Sequence, residues 1–530
     1  MKSKQILSLS LAACLMIGSL AGAGGVQAKA KAKKPVLSKT KMTAYIGKTK
    51  TLKVKKNGTK KIVKTKWTLS GKKVAKLSKK KKTSVTIKGL KKGSATVKAK
   101  VWYQKKGAKK KKKVTLKCKV SVTKYVSPEA KKKANVLNAT TKYKPLAKLA
   151  AQHGFKLGTV VNYINVTTND NYKNLVKYHF NSLTAGNEFK AYSLLDQAKS
   201  AKSKDGMPVM NYDKADTIIS FAKENGIQMR GHVLVWHAYM CDWFFEGYDT
   251  SKKYVSKAVM QKRLQYYIKE VITHFEKKYP GVIYCWDVVN EAVADQNVGD
   301  DNRNLRKDNQ FYKILGSDYV EQSFLYAKNT VDELGADIKL YYNDYNSFYK
   351  SKREEIVNLV KSINSYAKDA KGNVRKLCDG VGMQGYIGGY GTQNGCMNEQ
   401  NISDIKKSIE TYAALGCEVQ VTEMAVRNYM NTKAMQKKHA EFYKKLFQMF
   451  VDVNAIPADC SGKSAEEIKK LEESRPLKAV SIWGWQDDPS LEDNNYSYSM
   501  NGPYCGLFTE LYAVKDSFKN VYEVLANKRI

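Results

Sequence analysis

Eight short runs rich in β-branched and aromatic residues recur through the later part of this 530-residue chain, each followed by a stretch of helical spacing. They are "FKLGTVVN" from Phe155, "FNSLTAGNEFK" from Phe180, "QMRGHVLVWH" from Gln228, "YCWDVVNE" from Tyr284, "IKLYYNDYN" from Ile338, "DGVGMQGYI" from Asp379, "EVQVTEM" from Glu418 and "AVSIWGWQDD" from Ala479. Sequences such as "REEIVNLVKSINSYAK" lie between them. Strand and helix alternating in this way predicts parallel strands, because each helix carries the chain back before the next strand begins. Eight such units close an α/β (β/α)8 TIM barrel, and the chain is long enough for that barrel plus one smaller module.

Nearly every run finishes in groups that an apolar strand does not need for packing. These are Asn162; Asn187 with Glu188; His232, Trp236 and His237; Asn290 with Glu291; Asn343 with Asp344; Gln384; Glu423; and Trp483 with Asp487. The C-terminal strand ends of a (β/α)8 barrel share one face, so these residues are expected around a single cleft. A buried carboxylate without a partner is costly, and Glu291 and Glu423 end the fourth and seventh runs with no obvious neutraliser beside them. Two carboxyls facing one another among Trp, His, Asn and Gln are the equipment of a glycosidase. One protonates the departing glycosidic oxygen, and the other attacks or screens the anomeric carbon. Tryptophans offer flat apolar faces to sugar rings, while amides and imidazoles bind hydroxyls. Glu188 is expected in a structural ion pair, Asp287 and Asp344 as supporting carboxylates, and His237 reads equally as a packed barrel histidine or a sugar ligand.

The first part of the chain is of another kind. From Lys29 through Lys124 there are 37 lysines and no Asp, Glu or Arg, and the first acidic residue is Glu129. With Lys2 and Lys4 these lysines supply 39 of the net charge of +46, leaving +7 for everything after Lys124. Apolar residues alternate with Lys or Thr in "KTLKVKK", "KIVKTKWTLS", "KKVAKLS", "TSVTIKGL", "GSATVKAKVWY" and "KKVTLKCKVSV". This period of two predicts six or seven short antiparallel strands in a sandwich, with lysines outside. "YIGKTKTLKV", Trp67 followed by "KKVAKLS", and "GLKKGSATVKAK" resemble a bacterial Ig-like domain of group 2. Only Trp67, Trp102 and Tyr103 are interleaved as aromatics with the lysines of its strands, too few for a nucleic-acid groove. An extracellular polyanion such as wall teichoic acid or an acidic polysaccharide is one expected partner; a solvated spacer is the alternative.

The first 28 residues have two lysines, an apolar run from Ile6 to about Leu20 and small residues up to Ala28. That pattern predicts a secretory signal peptide cleaved after Ala28, and hence a secreted or surface-held protein. Leu11-Ala12-Ala13-Cys14 resembles a lipoprotein cleavage box, but apolar residues continue beyond Cys14, which favours simple export. No later segment is apolar enough to span a bilayer. Eight cysteines remain after cleavage without CxxC spacing, which argues against a metal site. Cys378 and Cys396 could close a short disulfide loop, or all could be buried thiols. The expected organisation is a signal peptide over 1–28, a sandwich over 29–125, a linker over 126–145 and the barrel over 146–530, in a monomer without cofactor.

In the barrel, "FNSLTAGNEFK", "RGHVLVWH", "WDVVNEA", "LYYNDYN", "GVGMQGYI", "VTEM" and "WGWQDDPS" together resemble glycoside hydrolase family 10, the retaining endo-β-1,4-xylanases. The resemblance implies Glu291 as general acid/base and Glu423 as nucleophile, about 5–5.5 Å apart as in retaining enzymes. It implies Asn290 on the 2-hydroxyl of the sugar at the cleavage point, and Asn187, Lys190, His232 and Trp236 on sugars to the non-reducing side. It further implies that Gln384 and Trp483 finish the pocket and that Tyr345 touches the sugar beyond the cleavage point. Xylan is the substrate so implied; a β-1,4-glucanase or mixed-specificity glycanase is the alternative, with a non-catalytic glycan-binding surface protein behind both.

Four positions depart from the family's pattern. Gly186 stands where a Glu is common, removing an acceptor for a distal sugar. Tyr386 and Ala425 replace a His and an Asp that bond each other and the nucleophile in relatives, and Leu491 replaces a Trp. Losing the His and Asp together is coherent, since an Asp without its His would be a stranded charge. Tyr386 is expected to donate a hydrogen bond to Glu423 and to alter the pH profile without changing the reaction.

Overall fold

The computed structural model describes residues 34–248, 252–298, 302–389, 392–457, 460, 462–492 and 502–527. The chain divides into two compact units at Ser127–Pro128. The signal segment expected over 1–28 lies outside the described residues.

The first unit is a sandwich of eight strands: β1 Val36–Leu37, β2 Lys41–Tyr45, β3 Thr49–Lys55, β4 Lys61–Ser70, β5 Ala75–Ser78, β6 Ser84–Gly89, β7 Gly93–Gln104 and β8 Lys111–Thr123. They form two four-stranded sheets, ordered β1-β3-β6-β5 and β2-β8-β7-β4. The period-two runs correspond to β3 to β8. β1 and β2 are not among the runs read from sequence, and β2 pairs with β8 in parallel where antiparallel strands were expected. Leu52, Val54, Val85 and Ile87 of one sheet meet Trp67, Val97, Ala99, Val101 and Cys118 of the other in a common core. Trp67 is buried with its indole N–H donating to the Lys81 carbonyl at 2.9 Å, as a buried Trp requires.

In the second unit the barrel strands are β9 Lys156–Val161, β10 Ser182–Ala185, β11 Gln228–Gly231, β12 Ile283–Asn290, β13 Lys339–Tyr345, β14 Gly380–Gln384, β15 Glu418–Val426 and β16 Leu477–Ile482. Each falls within one of the eight predicted runs or overlaps it. Neighbours pair in parallel from β9 to β16, and β16 pairs back with β9, closing the ring. Seven of the eight residues of β12 are buried, as expected for a parallel strand covered on both faces. Gly382 in β14 is dictated by the filled interior: a Cβ there would lie 2.3 Å from Asn343 Oδ1 and 2.7 Å from Arg230 Nη2.

The expected linker over 126–145 is mostly absent. Pro128–Lys142 is a helix of the second unit. Val136 and Ala139 are buried in the barrel-unit core, and Asn135 Nδ2 donates to the Leu511 carbonyl at 2.8 Å. Its many lysines resemble the preceding module in composition, which hid the three-residue spacing of its buried face. The polar segment leading into β16 contains the helix Ala465–Glu473, closed by a Ser464/Glu467 capping box and burying no side chain. The eight cysteines from Cys118 to Cys505 are free thiols, so Cys378 and Cys396 do not close a loop.

Candidate active site

The strand ends enclose one cleft of about 630 Å³ lined by residues of all eight runs. Glu291 and Glu423 both line it. Asn187, Lys190, His232, Trp236, Tyr345, Gln384 and Trp483 do so as well. Asn290 and Tyr386, the other two expected site residues, are buried and hydrogen-bonded to residues of this wall.

Glu291 follows β12 with φ at +57°, a left-handed conformation uncommon for a residue with a side chain. The surrounding backbone is pinned. Glu291 N–H donates to the Asn343 carbonyl at 2.9 Å, the Tyr342 hydroxyl accepts from the N–H groups of Ala292 and Val293 at 3.0 and 3.1 Å, and Arg306 Nε donates to the Glu291 carbonyl at 3.0 Å. Strain held this firmly is characteristic of functional positions. The Glu291 carboxyl accepts from Gln384 Nε2 at 2.8 Å and Trp236 Nε1 at 3.0 Å. Burial, followed by the charges of Asp344 and Glu423, nevertheless raises its pKa from 4.5 to about 7. Glu291 therefore carries a proton near neutrality, as a general acid must.

Glu423 sits within β15 and is 6 % exposed. Burial raises its pKa too, but its surroundings counter that with donors and cations: the Tyr386 hydroxyl, the charges of Lys190 and Arg230, and Asn343. Tyr386 donates to Glu423 Oε2 at 2.5 Å. Asp344 and Glu423 raise Glu291, whereas Lys190 and Arg230 favour the anion of Glu423, so Glu423 is the carboxyl placed to act ionised. Tyr386 lies directly across from Ala425, the Tyr386–Ile387 strand pairing in parallel with β15. The two departures from the family pattern thus face each other, and the phenol supplies a donor to Glu423.

Arg230 is a buried residue that the sequence reading passed over. It makes a two-pronged ion pair with Asp287, while its Nε donates to Gln420 Oε1 at 3.2 Å. Asp287 also accepts from His232 Nδ1 at 2.8 Å, which fixes the tautomer. Burial, with the Lys190 and Arg230 charges behind it, holds His232 well below its ordinary value and therefore neutral. Its Nε2 is then a lone-pair acceptor 3.9 Å from Glu423 Oε1, placed to receive a sugar hydroxyl. A charged residue in the middle of β11 beside an Asp in neighbouring β12 was the signal available for Arg230.

Asn290 accepts at Oδ1 from Asn343 Nδ2 at 2.8 Å and Gln384 Nε2 at 3.3 Å. Its own Nδ2 is a buried donor with no partner among the described residues, consistent with a ligand hydroxyl as its acceptor. Lys190 donates to Asn187 Oδ1 at 3.0 Å and lies 5.2 and 5.0 Å from the ring centres of Trp236 and Tyr239. Tyr239, which also lines the cleft, was not expected; it is three residues past Trp236 in "WHAY". Tyr345 donates to Asp295 and accepts from Arg306 Nη2 at 2.5 Å, and its ring lies 3.8 Å beneath Lys352 Nζ.

Glu188 accepts from the backbone N–H groups of Tyr163 at 2.7 Å and Asn187 at 3.1 Å. It makes no ion pair among the described residues, a correction to the expected role: backbone N–H groups at the start of the Tyr163–Thr168 helix and at Asn187 satisfy its two oxygens instead. Asp287 and Asp344 are supporting carboxylates as expected, Asp344 3.0 Å from Lys352 Nζ. Gly186 lines the cleft, and Leu491 lies in the short turn Pro489–Glu492.

Residues 145–524 match Glycosyl hydrolase family 10. The chain belongs to this family. It is 39% identical over 267 residues to a putative endo-1,4-beta-xylanase of Caldicellulosiruptor saccharolyticus, covering 49% of this chain and 79% of that protein. It is 35% identical over 322 residues to endo-1,4-beta-xylanase A of Thermotoga maritima, covering 60% of this chain but only 25% of that longer protein. The solved intracellular xylanase of Thermoanaerobacterium saccharolyticum superposes with a TM-score of 0.55 at 29% identity, over 72% of this chain and 99% of its own.

Proposed function

We propose that this family 10 member is a retaining endo-β-1,4-xylanase, with Glu291 as general acid/base and Glu423 as nucleophile. The opposed electrostatics of the two carboxyls carry the reading: one is raised to about 7 beside anions, while the other faces two cations and a phenol donor. In the first step Glu423 attacks the anomeric carbon while Glu291 gives its proton to the departing oxygen. Glu291, now ionised, then takes a proton from the water that releases the glycosyl enzyme. His232 Nε2 and Asn290 Nδ2 bind hydroxyls of the sugar at the cleavage point. Trp483, Trp236 and Tyr345 supply apolar faces along the cleft, and Gln384 keeps Glu291 and Asn290 in register.

Release of reducing sugar from xylan tests this, with product profiles on xylan, cellulose and mixed-linkage glucan compared. Wild type is expected to act on xylan, with Glu423→Ala reducing turnover by about 10⁴-fold or more. Preferred hydrolysis of cellulose would favour the β-1,4-glucanase alternative, and no hydrolysis at all would favour a glycan-binding protein. The reading extends to a secreted, monomeric enzyme, supported by the leader up to Ala28. It also takes the N-terminal unit as an Ig-like domain whose lysines hold an anionic wall polymer, supported by the absence of acidic residues before Glu129.

A further inference from the structure

The lysines of the sandwich are not spread evenly over its two sheets. On the outer face of the β2-β8-β7-β4 sheet, Lys41 stands opposite Lys119, Lys98 opposite Lys117 and Lys66 opposite Lys100. Lys64 and Lys113 flank Trp102 in the adjoining row, and Lys61 and Lys111 flank Gln104 in the next, which brings that face to ten lysines, all exposed. The outward residues of the other sheet include four lysines, Lys53, Lys55, Lys76 and Lys88, among Thr49, Thr51, Ser78, Ser84 and Thr86. Like charges directly opposite one another destabilise a sheet, and the first face carries three such pairs against one, Lys76 with Lys88, on the second. None of these fourteen makes an ion pair among the described residues.

The lysine-rich face is also hollowed. A cavity of about 830 Å³ lies over its β2-β8-β7 end, its floor formed by Lys41, Lys119 and the hydroxyls of Thr43, Ser94, Thr96 and Ser121. Lys39 and Lys50 stand at the rim, with Lys50 Nζ 5.1 Å from the ring centre of Tyr45. From there the lysine rows lead to Trp102, whose half-buried ring has Lys100 Nζ at 5.6 Å and Lys64 Nζ at 6.0 Å from its centre.

The geometry points to this trough as the binding site for a phosphodiester-linked polyol polymer, an inference that rests on the polyanion reading of the module above. Facing strands lie about 4.8 Å apart and alternate residues along a strand about 6.6 Å apart, so the lysine side chains are rooted at that density. That density matches a polymer with a full charge on every short repeat better than a polysaccharide with occasional acidic branches. The unit contains no Arg, so the planar fork that pairs with carboxylates is absent, while lysine suits phosphate as a compact point charge. The four floor hydroxyls match polyol hydroxyls between the phosphates. Bases would need a run of stacking partners, and Trp67 and Tyr103 are buried; among the described residues the strands of this face offer only Tyr45 and Trp102, at opposite ends of the rows and each with lysine ammonium groups near its ring.

The test measures affinity of the full chain for poly(glycerol phosphate), polygalacturonate and single-stranded poly(dT) at about 0.15 M salt, where the screening length is about 8 Å. Two variants of equal net charge are compared, Lys41→Gln/Lys98→Gln/Lys119→Gln in the trough and Lys53→Gln/Lys76→Gln/Lys88→Gln on the opposite sheet. Wild type is expected to bind poly(glycerol phosphate) about tenfold or more tighter than the other two polymers. The trough variant is expected to lose about tenfold or more, and the opposite variant less than about threefold, with hydrolysis of soluble xylan unchanged in both. Equal losses in the two variants would overturn the trough while leaving a diffuse polyanion module. Equal or tighter binding of polygalacturonate or poly(dT) would overturn the polyol phosphate. A wild-type chain that binds no polyanion removes both this site and the anchoring role, and xylan hydrolysis reports separately on the barrel.

Discussion

The two units deal with charge in opposite ways. In the barrel unit, buried ions come with partners: Arg230 with Asp287, Lys352 with Asp344, and Lys515 with Asp487. In the sandwich the charges are exposed, of one sign, and set opposite each other across strands. A buried charge is tolerable only where geometry gives it a counter-charge and hydrogen bonds, whereas an exposed one is solvated and screened. Charge therefore fixes structure in one unit and leaves it nearly untouched in the other.

That contrast should show most strongly in stability. Asp287→Ala is expected to destabilise the barrel by about 3–5 kcal/mol, because Arg230 would stay buried without its anion. Lys98→Gln in the sandwich should fall within about 0.5 kcal/mol of wild type. Amide hydrogen exchange resolved to each unit would decide, and comparable losses would break the comparison.

Glu291 is the buried charge that the barrel only partly compensates. The folded chain keeps its proton up to about pH 7, while the unfolded chain releases it near the ordinary value of 4.5. A raised pKa contributes stability that is complete below 4.5 and lost as the pH rises through 7. Glu291→Gln removes that loss, so the variant should gain on the order of 2–3 kcal/mol over wild type between pH 5 and 8 while losing catalysis. Thermal melts across that range would check it, and parallel curves would sink it.

A smaller effect is expected at Glu423. Tyr386 donates to the ionised form of Glu423 and so lowers its pKa; Tyr386→Phe should move the acidic limb of kcat/KM upward by about one pH unit. Tyr386→His sharpens the same point, since an acidic limb identical to wild type would show that the phenol has no special effect. Smallest of all, Lys66→Thr/Lys100→Thr should stabilise the sandwich by a few tenths of a kcal/mol, roughly, by removing one like-charge pair. The gain should vanish near 1 M salt, where screening acts over about 3 Å.

Much of the site was legible because strand ends in a closed barrel converge whatever the loops do. Glu291, Glu423, Asn187, His232, Gln384 and Trp483 could be named from eight runs and their last residues. Arg230 and Tyr239 escaped, the first because a mid-strand cation is silent until its partner strand is known, the second because it lies on a loop. Glu188 was misassigned because sequence shows which charges are near along the chain but not which backbone N–H groups the fold leaves exposed. The helix Pro128–Lys142 was read as linker because its lysines masked its buried face.

By itself the sequence determined the barrel, the sandwich and the pair of acids, since periodicity and strand order are written along the chain and the closure of eight parallel strands leaves one cleft. Only the tertiary structure decided which acid keeps its proton and which face of the sandwich gathers the lysines. Both depend on which groups lie within a few ångströms across strands, and distances of that kind arise only when the strands pair.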